Sequence, residues 1–79
     1  MMKLTLRTQF GKTLTFEVSE DDTIEDVKKL IEDREGIPID RMRLVYQGKL
    51  LQYDDKTLQD YNVWEEYTMH LLVRMDRGG

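Results

Sequence analysis

Residues 22–38 read DTIEDVKKLIEDREGIP, and this stretch decides the fold. Ile24, Val27 and Ile31 recur at helical spacing with Leu30 beside them, so one face of a helix is apolar. Thr23 stands just before the first of them, where a hydroxyl can accept from a free backbone N–H. Asp26, three residues on, completes the pattern of a capping box. Glu25 and Asp26 put negative charge in the first turn, where the aligned amide dipoles favour it. Gly36 suits the left-handed position that closes a helix, and Pro38 opposes continuation. The spacing predicts a helix over residues 24–35.

Outward from this helix the period changes to two on both sides. Residues 2–8 (MKLTLRT) and 13–18 (TLTFEV) alternate, as strands with one buried face do. The Gly-containing link Gln9-Phe10-Gly11-Lys12 reads as a hairpin with a bulged turn. Residues 41–46 alternate again, with Met42, Leu44 and Tyr46 on one side and Val45 on the other. Gln47-Gly48 turns the chain, and Lys49-Leu50-Leu51 has room for a strand stub. Leu58, Tyr61 and Val63 anchor a connection that could hold one short helical turn. In residues 68–74, Met69, Leu71 and Val73 face one way, and His70, Leu72 and Arg74 the other. The expected core is Met2, Leu4, Leu6, Leu14, Phe16, Val18, Ile24, Val27, Ile31, Leu44, Leu51, Leu58, Tyr61, Val63, Met69 and Leu71. Strand, strand, helix, strand, short strand, strand gives an α+β fold, a mixed sheet packed on one main helix with its other face wet. Residues 1–75 are expected to form one domain and residues 76–79 a flexible tail.

The composition removes several kinds of function. The 79 residues suffice for one domain. The absence of cysteine excludes disulfides, thiolate metal sites and cysteine nucleophiles. No apolar run is long enough for a membrane span or a signal-peptide core. Twelve basic against sixteen acidic residues leave a net charge of −4 with no basic tract, so no nucleic-acid or membrane partner is expected. Residues 17–35 hold nine carboxylates and three bases, which makes the molecule polar in charge. His70 is the only histidine and Ser19 the only serine, and nothing in the sequence places them together. Gly11-Lys12-Thr13 is only the tail of a phosphate loop. No enzyme activity, metal or cofactor is expected.

The outer sheet face is a different matter. The strands carrying Val45 and His70 should be neighbours, which brings Val45, His70 and Leu72 together with Arg43 and Arg74 nearby. Phe10, in the hairpin link, has no place in the core. Exposed apolar groups rimmed by bases form the kind of surface that receives other proteins.

The sequence blocks Asp22-Thr23-Ile24-Glu25, Glu35-Gly36-Ile37-Pro38, Gly48-Lys49, Asp60-Tyr61-Asn62, His70-Leu71 and Gly78-Gly79 resemble the ubiquitin family over essentially residues 2–79. The resemblance implies the ubiquitin-like β-grasp fold. It implies a protein modifier, joined through its C-terminal glycine to substrate lysines and read by partner domains. A Leu–Ile–His–Val surface in the family matches Gln9, Val45, His70 and Leu72 here, with Gln9 a polar replacement in a flexible hairpin. Adjacent Phe10 could supply apolar area. A second family surface matches Ile37, with Gln9, Val73 and Met75 around it. Gly78 and Gly79 match the conjugated end. Lys12, Lys28 and Lys49 match chain-forming lysines, whereas Arg7, Leu30, Arg34 and Glu65 stand at the others. Lys28 lies in the acidic helix and is expected to be partly held by neighbouring carboxylates. The implied partners are activating and conjugating enzymes, deconjugating proteases and ubiquitin-binding domains, met by a monomer in the cytoplasm and nucleus. The chain departs from the pattern at Asp76, in a tail one residue longer, and in an inserted residue around Tyr53–Lys56. A non-covalent ubiquitin-like interaction domain and an engineered variant remain alternative readings.

Overall fold

Alternation becomes strand wherever the apolar side has a core to face. The computed structural model describes residues 1–64 and 67–75. Its strands are β1 (Met2–Thr8), β2 (Thr13–Val18), β3 (Met42–Tyr46), β4 (Lys49–Leu50) and β5 (Met69–Val73), with helix α1 (Ile24–Glu35) between β2 and β3. The sheet order is β2-β1-β5-β3-β4. The β1–β5 pair is parallel, and the other pairs are antiparallel. The first and last strands therefore lie side by side at the centre.

The helix has the expected bounds because its caps are local. Asp26 N–H donates to Thr23 Oγ1 at 3.1 Å, and Thr23 N–H donates to Asp26 Oδ2 at 3.0 Å. At the other end Gly36 takes φ 72°, a left-handed conformation that costs a residue without Cβ little, and its N–H donates to Glu32 O at 2.8 Å. Ile24, Val27 and Ile31 are fully buried beneath the sheet residues Leu4, Leu6, Leu44, Met69 and Leu71. Each such side chain contributes about 1.5–3 kcal/mol through burial.

Several expectations are corrected. Strand β3 begins at Met42, because Ile39–Arg41 form a 3-10 turn after Pro38. The stub β4 ends at Leu50, and β5 covers Met69–Val73 rather than residues 68–74. Met42 and Tyr46 belong to the core, while Met2 and Tyr61 are only partly buried against it. Tyr46 is tolerated inside because its hydroxyl is satisfied twice. It accepts from Trp64 N–H at 2.8 Å and donates to Trp64 O at 3.2 Å. The connection through Leu58 does hold one short turn of helical type, with Tyr61 N–H reaching Thr57 O at 3.3 Å and Leu58 O at 3.2 Å. It also carries a second reciprocal cap. Thr57 N–H donates to Asp60 Oδ2 and Asp60 N–H to Thr57 Oγ1, both at 3.0 Å. Asn62 then turns left-handed at φ 55°.

Candidate functional site

The register builds the outer face. Val45 of β3 lies opposite His70 of β5, and His70 lies opposite Arg7 of β1. Val45 also lies opposite Leu50 of β4. Register partners share a face, so Leu50, Val45, His70 and Arg7 form one row across four strands. In the next row Leu72 lies opposite Arg43. Leu72 is 41% and Leu50 38% exposed, His70 is exposed, and Val45 is half-buried between them. The result is a small apolar centre with guanidinium groups at its rim. Arg74 extends the ladder past β5, its N–H donating to Arg41 O at 2.8 Å.

Leu50 was not among the sequence candidates. The only signal for it was its place in a strand stub, and its face depends on how β4 pairs with β3.

Gln9 is not a free loop side chain. Its amide Nε2 donates to Val73 O at 3.1 Å, and Val73 N–H donates to its Oε1 at 2.7 Å. The side chain thus pairs with β5 as another strand residue would. The turn is held from within too. Thr8 N–H donates to Lys12 O at 2.8 Å, and Phe10 and Lys12 N–H both reach Thr8 Oγ1. Phe10 rides on this braced turn with 65% of its surface exposed. The expectation of a flexible hairpin at Gln9 is therefore corrected. Around the second surface, Ile37 and Val73 are half-buried against the core and Met75 is exposed.

The three candidate lysines differ sharply. Lys12 Nζ pairs with Glu35 Oε1 at 2.7 Å across an exposed gap. Lys49 is exposed, its amine 5.4 Å from the centre of the Tyr61 ring. Lys28 is buried, 8% exposed, and its Nζ pairs with Asp54 Oδ1 at 2.9 Å. The neighbouring carboxylate that holds it comes from the loop after β4. Gly78 and Gly79 lie outside the described residues. Among the described residues no group of three or more histidines and carboxylates is placed to hold a metal, and no helix is long and apolar enough to cross a membrane.

A sequence model described as the ubiquitin family matches residues 4–76. The chain belongs to the ubiquitin family. Its α+β architecture is the ubiquitin-like β-grasp, and it is a ubiquitin-like modifier in general type, a protein tag rather than an enzyme. It is 39% identical to the NEDD8-like protein RUB1 of Saccharomyces cerevisiae over 79 residues, covering 99% of each chain. It is 40% identical to the NEDD8-like protein RUB3 of Arabidopsis thaliana over 78 residues, covering 99% of this chain and 97% of that one. The ubiquitin-like protein 4A of Anoplopoma fimbria is 37% identical over 73 residues. There the match covers 92% of this chain but only 46% of the relative. The ubiquitin-like chain thus spans nearly the whole of two NEDD8-like relatives and about half of the other.

Proposed function

We propose that this ubiquitin-like protein is conjugated through Gly79 to lysines of target proteins and is read at the β3–β5 face. The observation that carries the reading is the row Leu50–Val45–His70 with Leu72 beside it, an apolar centre inside a basic rim. A fixed, flat, partly apolar sheet face suits a partner's helix or loop, because little must be ordered on binding. Likeness to two NEDD8-like proteins supports the modifier reading. Partners on this reading are the activating and conjugating enzymes, deconjugating proteases and ubiquitin-binding domains, in the cytoplasm and nucleus. Gly78 and Gly79 lack Cβ atoms and would let a nucleophile reach the terminal carbonyl in a narrow channel. Likeness to the ubiquitin-like 4A protein, of which the chain spans about half, favours a second reading as a non-covalent interaction domain.

Thioester formation separates the two. The chain is incubated with ATP and a purified activating enzyme of ubiquitin type or of NEDD8 type, and products are read on a non-reducing gel. We expect charging by the NEDD8-type enzyme. With the ubiquitin-type enzyme it should be weak, because Asp76 brings a carboxylate to a surface that takes basic tails, and the extra residue shifts Arg77. Replacement Asp76→Leu should improve the latter. Failure of both enzymes with both forms favours the non-covalent reading.

A further inference from the structure

The only tryptophan of the chain stands away from the face just described. Trp64 is 60% exposed, although a large indole in water forgoes its burial energy. Its backbone is nevertheless fixed, since both its N–H and its carbonyl are bonded to the buried Tyr46 hydroxyl. Trp64 lines a hollow of about 350 Å³ together with Met2, Glu20, Gln59, Asn62 and Val63. The walls are tied by backbone bonds, Gln59 N–H to Glu20 O and Val63 N–H to Leu58 O, both 3.0 Å, and Asn62 N–H to Gln59 O, also 3.0 Å. Val63 is buried and Met2 half-buried, so the apolar wall belongs to the core and stays in place.

Among the described residues Glu20 is the one acidic side chain in the lining. Asp21 next to it and Glu17 on β2 carry the same sign, with Lys3 opposite Glu17 in the register. Among the described residues no base lines the hollow, so the Glu20 carboxylate is the charge that a ligand meets there. We propose that this hollow is a second docking site, and that its occupant is an extended partner segment presenting an arginine between two apolar residues. The guanidinium would lie on the indole face with its edge toward the Glu20 carboxylate, and the flanking apolar groups would lie on Met2 and Val63. Arginine fits better than lysine because its planar cation stacks on an indole and is weakly hydrated. The fixed backbone of Trp64 lowers the ordering cost of such a contact. The site uses the start of β1 and the loop before β5, so its use does not depend on conjugation or on the β3–β5 face.

Because the chain has a single tryptophan, its own emission reports the site. The test titrates acetyl-Leu-Arg-Leu-amide into the intact protein, with acetyl-Leu-Gln-Leu-amide as comparison. A saturable change in emission is expected, with the glutamine peptide binding roughly fivefold more weakly. Glu20→Gln should weaken the arginine peptide by a similar factor, and added salt should do the same. Trp64→Ala, followed by calorimetry, should abolish binding. Glu20→Gln changes only an exposed side chain and decides the matter even if Trp64→Ala fails to fold. A linear response without saturation, equal affinity for the two peptides, or indifference to Glu20→Gln overturns the proposal. Emission that shifts with protein concentration alone would assign the hollow to a second copy of the chain and overturn it as well.

Discussion

Two aspartates are each held by hydrogen bonds from one threonine. The backbone N–H of Thr23 chiefly, and its hydroxyl next, hold the Asp26 carboxyl below the ordinary aspartate value of 3.8. The backbone N–H of Thr57 chiefly does the same for Asp60. A carboxylate whose folded pKa is depressed contributes stability above its unfolded value, and that contribution is lost as pH falls through the folded value. Asp26→Asn and Asp60→Asn should therefore each lower the urea midpoint at pH 7. The difference from the wild-type chain should shrink once the pH drops below 3.8 toward the depressed values. A difference that stays constant down to acid pH would assign the loss to cap geometry instead of charge. Both caps could be seen in the sequence in principle, because donor and acceptor lie three residues apart. Only the one at Thr23 was read, because an apolar helical repeat follows it. Thr57-Leu58-Gln59-Asp60 has no such repeat behind it.

Between elements, what counts is register, and register is not a local property. Alternation told which residues of β3 and β5 share a side, so Val45, His70 and Leu72 could be named as a patch. It did not fix which residue of β4 meets Val45, and Leu50 was therefore missed. The Gln9 amide escaped for the same reason, since its partner Val73 is 64 residues away. These contacts predict different behaviour on substitution. Val45→Ala, His70→Ala and Leu72→Ala should weaken binding to a ubiquitin-binding domain, by about 2 kcal/mol or more at a central anchor. The unfolding midpoints of His70→Ala and Leu72→Ala should change little, because both side chains are exposed. Gln9→Ala should instead cost stability, about 0.5–1.5 kcal/mol for each bond to Val73. Calorimetric titration and urea unfolding on the same set of variants check both. Unchanged affinity in all three patch variants would remove the β3–β5 face as the binding surface.

At the scale of the whole molecule, the fold ranks amines that the sequence treats as equals. Lys12, Lys28 and Lys49 all match the family pattern, yet Lys28 is buried against Asp54 and the other two face solvent. If the protein forms chains, branch peptides at Lys49 and Lys12 should dominate a mass spectrum, with Lys28 last. Abundant Lys28 branches would mean that α1 and the loop after β4 separate readily. The same architecture has a consequence for biosynthesis. Strand β5 slots between β1 and β3, although among the described strands it is made last. While a ribosome is still adding residues before Met69, β1 has an open edge on its parallel side and β3 on its antiparallel side. The helix can cap itself early, but the apolar floor beneath it lacks Met69 and Leu71. The nascent chain stays open to chaperones and proteases until the final strand clears the exit tunnel, and the core then closes late, in one step, around its own last segment.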